Sequence, residues 1–458
     1  MKMEGMTSSE RRTAMALSGI FATRMLGLFM ILPVFAIYAA TLDGHSELLT
    51  GIAIGVYGLT QALFQIPMGM LSDRIGRKPV IIGGLIMFAL GSLVAALADD
   101  IGLIIIGRAI QGSGAIAAVV MALASDLTRE ENRVKVMAII GMSIGLSFAI
   151  AMVLGPVLEG VIGVPGIFLV TVFLAIAGIL VVKFLVPTPT ISSFHRDTEL
   201  ETKNLRQIIF DPQLLRLDFG ILILHTVLTA TFLAIPRMLQ DNFHLIQADH
   251  WHIYLPVLLG SMVLIVPFII YAERKRKLKQ VFSGAILCLG LAIYGMWNFS
   301  NSLTGIVVML LLFFTAFNLL EASLPSLVAK IAPVTKKGTA MGVYSSSQFL
   351  GIFIGGLLAG RVSQLYGYEF IFLMNTGFVS IWFLLAISMK QPGYLSTQLL
   401  NVGKISEQEA SHLAVQLTNI RGVAEVTVIA KDGVAYLKVD KHALDRDSLW
   451  KYSVSTES

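Results

Sequence analysis

Three ionisable side chains lie within segments of this chain that are otherwise apolar. Arg24, Arg108 and Glu321 are each surrounded in sequence by long hydrophobic runs. An ionised group inside a membrane costs at least about 2.5 kcal/mol, so such residues are usually retained for function. A carboxyl group that alternates between a neutral and a charged form can carry a proton, and a nearby guanidinium favours its charged form. The pattern predicts proton binding, with Glu321 as the carrier.

The depth of these residues supports the same prediction. At about 1.5 Å per residue, Arg108 lies roughly 10 Å below the outer end of its helix, and Glu321 lies about 14 Å above the inner end of its own. In a hydrocarbon core about 30 Å thick, both are near the midplane, where transporter substrates bind. The alternative is that Glu321 only neutralises Arg24 or Arg108 as a static partner.

Uncharged polar residues extend this candidate site. Tyr57, Gln61 and Gln65 are spaced four residues apart and form one stripe on a helix. We expect them to line a cavity, although hydrogen bonding between helices would explain them equally well. The remaining candidates are Asn318, Gln348 and His225. The histidine stands alone on its helix and is more typical of a hydrogen-bonded side chain than of a proton relay.

The composition is that of a membrane protein. Of the 458 residues, 55% are hydrophobic and 14% are charged, whereas a soluble chain carries about 25% charged residues. Windows of about 20 apolar residues, the length of one helical crossing, recur through the first 390 residues. They predict an all-α membrane domain of twelve helices, at 13–38, 48–72, 79–98, 101–123, 134–160, 165–186, 216–241, 251–272, 280–298, 303–328, 338–362 and 368–389.

Basic residues mark one side of the predicted bundle. Lysine and arginine cluster in alternate loops, whereas the intervening loops are acidic. Because basic loops stay in the cytoplasm, we predict that both termini are cytoplasmic. The net charge of +5 therefore reflects topology, and we expect no binding to nucleic acid. The first apolar segment lacks a cleavage site and is predicted to be a retained helix.

The loop after the second predicted helix has an unusual composition, GMLSDRIGRK over residues 69–78. The tendency of inside loops to be basic explains its lysine and arginines, but not an acidic residue and two glycines at fixed spacing. The loop resembles the G-x-L-x-D-R-x-G-R-K signature of the major facilitator superfamily of secondary transporters. The matching residues are Gly69, Asp73, Arg74, Gly76, Arg77 and Lys78.

That resemblance implies a fold and a role for the loop. The fold has two six-helix halves in which every third helix is an outer support, which agrees with the lack of charges inside predicted helices 3, 6, 9 and 12. The loop would control conformation without touching substrate. Gly69 would let the eleventh helix approach, Asp73 would cap the N-terminus of that helix, and Arg77 would pair with Asp126. These bonds would hold the cytoplasmic side closed in the outward-facing state.

Two further stretches resemble motifs of the same superfamily. Arg108 begins an R-x-x-Q-G sequence, which the family links to proton coupling. Gly155 and Pro156 belong to a G-x-x-x-G-P-x-x-G-G sequence associated with antiporters, in which Ala151 and Glu159 replace two glycines. Small residues and proline also occur in ordinary helix packing, so this motif alone does not decide the direction of transport.

The two halves of the chain repeat each other. A proline, an acidic residue and an arginine recur 200 residues apart at the same spacing. The two sets are Pro67, Asp73 and Arg74, and Pro267, Glu273 and Arg274. The second copy is altered, because Arg276 stands where Gly76 stands in the first. Parallel repeats of this kind are found in the superfamily.

Composition divides the chain into four parts. Residues 1–186 and 216–390 form the two membrane halves, and residues 187–215 join them through a predicted amphipathic helix on the membrane surface. Residues 394–458 have the composition of a small soluble α+β domain. The predicted order fits a ferredoxin-like unit, with a strand at 394–402, a helix at 406–419 that begins with a capping box, strands at 425–430 and 435–439, and a helix at 445–452.

No metal or cofactor is expected. Residues 420–428 resemble the heavy-metal-associated domain family, but the Cys-x-x-Cys pair that this family uses is missing from the first strand–helix loop. The single cysteine, Cys288, lies in an apolar helix, so the chain offers no disulfide and no cysteine-based metal site.

A transporter of this superfamily with such a tail resembles the YajR-like group, regarded as drug-efflux proteins of bacterial inner membranes. The leading hypothesis is proton-coupled efflux of a small amphipathic or drug-like compound by alternating access. The expected partners are this compound, protons and the lipid bilayer, and the tail could bind a small ligand or a second copy of itself. Two alternatives are a membrane sensor that signals through the tail, and a symporter for a sugar or other nutrient. The absence of a G-x-x-x-x-G-K-[ST] loop argues against an ATP-driven pump, and we expect no enzyme.

Overall fold

The apolar helices of the described residues account for twelve membrane crossings. The computed structural model describes residues 6–188, 209–333, 337–389, 396–403, 405–430, 433–440 and 443–453. In these ranges ten helices are long and apolar enough to cross a membrane. One of them, at 135–184, contains 50 residues and breaks at Gly163, whose φ is 66°, so it makes two crossings. With the first helix, which carries Arg24, the count is the predicted twelve.

The helices follow the predicted order, and most begin or end within a few residues of the predicted bounds. Their ranges are α1 Ser8–Phe29, α2 Phe35–Tyr38, α3 Glu47–Ile75, α4 Arg77–Ala96, α5 Ile101–Ser113, α6 Ala117–Asp126, α7 Glu130–Phe184, α8 Pro212–Asp241, α9 Trp251–Arg274, α10 Leu278–Asn298, α11 Leu303–Ile331, α12 Lys337–Tyr366 and α13 Phe370–Ile387. The amphipathic helix predicted between the halves falls mostly on residues 189–208, which lie outside the described residues.

The first crossing differs from its prediction. It was expected at 13–38 as one helix, but α1 begins at Ser8 and ends at Phe29. The early start is explained by a capping box, in which Thr7 and Glu10 satisfy each other's backbone N–H groups. The early end is explained by Pro33, because proline has no N–H to donate and its ring clashes with the carbonyl group four residues before it.

The fourth crossing is also divided. It was predicted as a single helix at 101–123, but α5 ends at Ser113 and α6 begins at Ala117. Glycines at this point allow backbones to approach closely. A Cβ atom at Gly114 would overlap the carbonyl oxygen of Gly84, and one at Gly112 would overlap the carbonyl oxygen of Tyr57. The helix is interrupted at this point, and its backbone packs closely against α3 and α4.

Burial follows the predicted division into inner and outer helices only in part, since the apolar window of Gln247–Ala272, a predicted inner helix, is 22% buried within the protein. The most apolar window of α8 is 89% buried within the protein. By contrast, large apolar side chains on predicted helices 6, 9 and 12 point outward, as shown by the exposed fractions of Phe173 (70%), Leu291 (60%) and Leu384 (68%). Such an exposed apolar surface is expected where a protein faces lipid.

The two halves meet most closely along α3 and α12. We call the end of the bundle at the α3–α4 turn the basic end, and the opposite end, at loop 42–46, the acidic end. Near the acidic end, Cβ atoms at Gly51 and Gly55 would overlap the backbone of α12, and one at Gly356 would overlap the backbone of α3. Glycine is required at these positions because the two backbones are in contact.

The C-terminal domain contains a three-stranded antiparallel sheet. Its elements are β1 Ser396–Asn401, α14 Glu407–Thr418, β2 Val423–Ile429, β3 Val434–Val439 and α15 Arg446–Trp450, and the strand order is β1–β3–β2. This is the predicted order of elements, and the capping box of Ser406 and Glu409 is confirmed. Hydrogen bonding from the backbone of Ser406 lowers the pKa of Glu409. The described residues contain no fourth strand, so the ferredoxin-like assignment stays an interpretation.

We predict that Gly356→Val prevents the acidic ends of the two halves from closing, because its side chain would overlap the carbonyl group of Gly51. The distance between spin labels at positions 43 and 369, in a Cys288→Ala background, should lengthen. Gly284→Val is the matched control, since a Cβ atom there meets nothing within 4 Å. An unchanged distance in Gly356→Val would contradict the prediction.

Candidate functional site

The N-terminal half holds a buried polar network around Arg24. Its Nη2 atom donates to the hydroxyl oxygen of Tyr57 at 3.1 Å and also to Oε1 of Gln61. Gln61 donates in turn to Oε1 of Gln65 at 2.9 Å. The predicted polar stripe on α3 therefore faces the first arginine, and all four side chains are buried. Tyr57 and Gln61 satisfy the Nη2 atom of Arg24, a group that would otherwise be costly inside the membrane, whereas its Nε atom is buried without a hydrogen-bond partner.

Arg108 belongs to the same half and shares Tyr57 with Arg24. Its guanidinium lies 5.0 Å from the centre of the Tyr57 ring. Its Nη1 atom donates to Oε1 of Gln111 at 2.9 Å, and Gln111 donates to the hydroxyl of Ser92 at 2.7 Å. Arg108 is 1% exposed. The R-x-x-Q-G residues thus hold this arginine against the polar stripe of α3.

The C-terminal half holds a second polar cluster, around Glu321 on α11. Its carboxylate oxygens lie 3.9 Å from Nε2 of His225 and 3.4 Å from Nε2 of Gln348. The Gln348 and His225 nitrogens are 2.8 Å apart. Asn318 points to another partner and donates to the hydroxyl of Ser261 at 3.1 Å. His225 therefore lies beside the carboxyl group, and its Nδ1 atom lies 3.3 Å from the carbonyl oxygen of Ile221.

The predicted site residues are thus divided between the two halves. Arg24 and Arg108 make their hydrogen bonds within the N-terminal half, and Glu321 makes its contacts within the C-terminal half. This arrangement does not support Glu321 as a static partner of either arginine. The side chain of Glu321 is 37% exposed, but its Oε2 atom is buried and makes no hydrogen bond.

Aromatic rings join the halves next to the Glu321 cluster. The ring of Phe148 on α7 lies 6.0 Å from that of Phe314 and 6.2 Å from that of Phe317, both on α11. Phe317 also lies 6.0 Å from the ring of His225. These aromatic side chains are buried and form an apolar surface beside the carboxyl group.

A set of polar contacts closes the acidic end, and we call Glu47, Arg237 and Ser363 the acidic-end lock. Arg237 on α8 forms an ion pair with Glu47 on α3 and donates to the carbonyl oxygen of Ala36 at 2.9 Å. Ser363 on α12 donates to Glu47 at 2.9 Å. Among the described residues, every hydrogen bond between the halves lies at this end, including that from Gln247 to the carbonyl oxygen of Val34.

Sequence reasoning missed the acidic-end lock. A signal was present, because Arg237 is a basic residue near the end of a helix where the flanking loops are acidic. Arginine at that end runs against the usual distribution of basic residues, so it calls for a specific partner.

The predicted ion pair of the 69–78 loop is confirmed. Nε of Arg77 lies 3.2 Å from Oδ2 of Asp126, which joins the α3–α4 turn to the end of α6. Arg77 also pairs with Asp73. Lys78 donates to the carbonyl oxygen of Val186 at 2.8 Å. Arginine and lysine of this loop thus connect three helix ends of the N-terminal half.

The two glycines, Arg74 and Asp73 complete the 69–78 loop. Gly76 has a φ of 96°, which a side chain would disfavour. The carbonyl group of Gly69 accepts a hydrogen bond from Ser72 at 2.6 Å, and Arg74 is exposed. Asp73 forms an ion pair with Arg77 in this conformation. Its predicted capping of the eleventh predicted helix, which is α12 in the structure, would occur in the outward-facing state. That role therefore stays a prediction.

The helix-5 motif packs against the first crossing. A Cβ atom at Gly155 would overlap the carbonyl oxygen of Met30, immediately after α1 ends. Pro156 follows it inside α7. Within the described residues no group of histidine, cysteine and carboxylate side chains is arranged to hold a metal ion.

Comparison with known proteins decides the family. A sequence profile of the Major Facilitator Superfamily matches residues 17–330 and 217–406. The chain belongs to the major facilitator superfamily. It is 48% identical to the inner membrane transport protein YajR of Escherichia coli K12, over 96% of this chain and 97% of that protein. It is 38% identical to a transporter of Buchnera aphidicola from Acyrthosiphon pisum, over 76% of this chain and 89% of that protein.

Solved structures share the same fold. A bacterial homologue of the human lysosomal transporter Spinster superposes with a TM-score of 0.67 at 15% identity, covering 84% of this chain and 97% of that one. With the family match, this identifies the protein as a membrane transporter of the major facilitator type, with a small three-stranded antiparallel sheet at its C-terminus.

We predict that Glu47→Gln weakens closure of the acidic end. Loss of a partly exposed ion pair is worth about 1 kcal/mol, a roughly fivefold change in the ratio of closed to open molecules. Spin labels at positions 43 and 369 report this ratio as two distance populations. Asp99→Asn, which removes an exposed carboxylate from the same end, should leave the populations unchanged. Equal populations in Glu47→Gln and wild type would remove Glu47 from the lock.

Proposed function

We propose that this transporter couples export of a small amphipathic compound to the entry of protons. The observation that carries the proposal is the carboxyl group of Glu321, which lies beside His225 and Gln348 on a side chain that is 37% exposed. A carboxyl group at the midplane can bind a proton on one side of the membrane and release it on the other, provided that its access alternates.

Alternating access is supported by the distribution of contacts between the halves. Their hydrogen bonds lie at the acidic end, while the 69–78 loop and its partners at the basic end connect helices within one half. Rocking of the halves would break the acidic-end lock and close the basic end. Glu321 would then face water on the opposite side.

We assign the basic end to the cytoplasm, because loops rich in lysine and arginine remain there. In this orientation both termini are cytoplasmic, and the conformation described here is closed towards the outside. The 48% identical relative is named an inner membrane protein, which favours the same location for this chain. Export would begin with a compound that enters from the cytoplasmic side.

The surroundings of Glu321 favour an amphipathic substrate. The rings of Phe148, Phe314 and Phe317 form an apolar surface next to the cluster, while Gln348 and the carboxyl group supply polar contacts. Ligand sites combine a mainly apolar lining with a few polar groups in this way. A proton and an amphipathic cation would compete for the same carboxylate, which would couple their movements.

We predict that Glu321→Gln abolishes proton-driven transport without unfolding the protein. Proteoliposomes under an imposed pH gradient are screened with fluorescent amphipathic cations, beginning with ethidium. The transport rate of the variant under the pH gradient should fall to about a tenth of the wild-type rate or below, because glutamine cannot carry a proton. Its size-exclusion profile should match wild type. Glu369→Gln, a half-buried carboxylate outside the cluster, is the control, and a wild-type rate in Glu321→Gln would refute this role.

We predict that Asp73→Asn slows turnover with little effect on substrate affinity. In the proposed outward-facing state, Asp73 caps the N-terminus of α12 and holds the cytoplasmic side closed, and a neutral side chain would weaken that bond. Transport rates at saturating ethidium should fall several-fold while the half-saturating concentration changes little. Arg74→Gln alters an exposed charge of the same loop and is the control. Normal turnover in Asp73→Asn would exclude the capping role.

A further inference from the structure

Helix α8 contains a buried carboxyl group that is nearer the basic end than His225. Asp218 is 5% exposed, and its Oδ2 atom is buried without a hydrogen-bond partner among the described residues. At about 1.5 Å per residue, it lies roughly 9 Å from the start of α8 at the basic end. A buried polar group without a partner costs about 1–3 kcal/mol, so such a group in a native protein calls for an explanation.

Helix periodicity places Asp218 on the basic-end side of the Glu321 cluster. Asp218 and His225 are seven residues apart, so they lie on the same face of α8. Tyr344 and Gln348 are four residues apart and share one face of α12. His225 and Gln348 are the side chains next to the carboxyl group of Glu321. Asp218 and Tyr344 therefore follow these two side chains towards the basic end, by two turns and by one turn of helix.

The packing of α8 against α12 brings Asp218 to the level of Tyr344. A Cβ atom at Gly351 would overlap the carbonyl oxygen of Leu222, so the two backbones are in contact there. Both helices start at the basic end. Asp218 is four residues before Leu222, and it therefore lies level with the part of α12 four residues before Gly351. That part is the turn between Tyr344 and Gln348.

Three buried oxygen atoms in this region have no hydrogen-bond partner among the described residues. They are Oδ2 of Asp218, the hydroxyl oxygen of Tyr344 and Oε2 of Glu321. Tyr344 is 4% exposed, and the charges of both carboxyl groups act on its phenol. The phenol is therefore close to both carboxyl groups, and a proton or a water molecule shared among the three would satisfy them.

No other ionisable side chain is placed to take this role. Within six residues of Glu321 on α11 and of Tyr344 on α12, the sequence contains no further ionisable residue. Helix α13, which also packs against α8, contains none. On α8 itself, Arg216 is two residues from Asp218 and so points to another face of the helix.

We propose that Asp218 is a second proton-binding group, through which Glu321 exchanges its proton with water at the basic end. Protonated Glu321 donates to the hydroxyl oxygen of Tyr344, directly or through water, and Tyr344 donates its own proton to the carboxylate of Asp218. An O–H bond forms at each acceptor as one breaks at each donor, so the phenol is unchanged and one proton has moved towards the basic end. Asp218 then releases that proton to water.

This inference rests on the proposed proton coupling of Glu321 and adds a route to it. The route follows α8 and α12, whereas the aromatic surface beside Glu321 is formed by α7 and α11. Protons and an amphipathic compound would therefore reach Glu321 along different helices. The proton could leave towards the basic end while the compound still occupies the aromatic surface.

The first experiment detects the proton on each carboxyl group and needs no substrate. Infrared difference spectra of the full-length protein in liposomes are recorded as the pH is changed. They report the high-frequency C=O bands of protonated carboxyl groups that are shielded from water. Asp218→Asn and Glu321→Gln should each remove one such band, whereas Asp218→Glu should keep both. Asp241→Asn, which removes an exposed carboxylate at the other end of α8, should change neither band.

The second experiment measures ethidium transport in proteoliposomes. Under a pH gradient, Asp218→Asn and Tyr344→Phe should each lower the rate by at least about tenfold, because a positioned proton donor or acceptor is lost. Without a gradient, exchange of ethidium for ethidium requires no proton release and should proceed as in wild type. Tyr366→Phe, which removes an exposed hydroxyl at the other end of α12, is the control. Asp218→Glu should retain driven transport.

The outcomes separate this inference from the proposed function. Persistence of both carboxyl bands in Asp218→Asn would mean that Asp218 binds no proton. Loss of ethidium exchange in a normally folded Asp218→Asn would mean that Asp218 holds substrate instead. A wild-type driven rate in Asp218→Asn, with no driven transport in Glu321→Gln, would exclude Asp218 and leave the coupling role of Glu321 intact. A wild-type rate that does not respond to the pH gradient would refute the coupling and this inference with it.

Discussion

Each half of this transporter holds its own buried charged side chains with polar contacts from within that half, and the rocking proposed above depends on that separation. Arg24 donates to Tyr57 and Gln61, and Glu321 lies beside His225 and Gln348. Breaking a buried ion pair by removing one partner costs about 3–5 kcal/mol. A pair between Glu321 and an arginine of the other half would meet that cost whenever the halves separated. Because no such pair forms among the described residues, the proposed opening would not have to separate a buried ion pair near Glu321.

The contacts that do cross the interface can be broken at small cost. Glycine backbones pack between α3 and α12, and aromatic rings pack between α7 and α11. Such surfaces can slide or separate without leaving a charge unpaired. They must then be covered by a substrate, by lipid or by the packing of the halves in the opposite conformation. The ion pair between Glu47 and Arg237 lies at the end of the bundle, and the Glu47 side chain is 24% exposed. Water can therefore solvate both partners when it opens.

Features set by local sequence could be predicted, and features set by pairing between distant segments could not. Helix number and order, the tail elements and the Arg77–Asp126 pair follow from hydropathy, turn residues and a known motif. Pro33 could have predicted the end of α1. The hydrophobic run continues past this proline, however, and so predicted one uninterrupted helix. The contact of His225 with Glu321 depends on the rotation of two helices that are far apart in sequence, and no pattern within either helix fixes it.

The differences between the two repeats carry as much information as their similarity. Loss of a glycine at 276 could be taken as relaxation of a motif that the second half no longer needs. The contacts indicate a different use of the position, because Arg276 keeps a positive φ, 52° against 96° at Gly76, and its side chain donates to Asp440 of the C-terminal domain. Lys438 of the same domain donates to the carbonyl oxygen of Ala332, directly after α11. Both contacts lie within the C-terminal half, so they would not hinder the rocking proposed above.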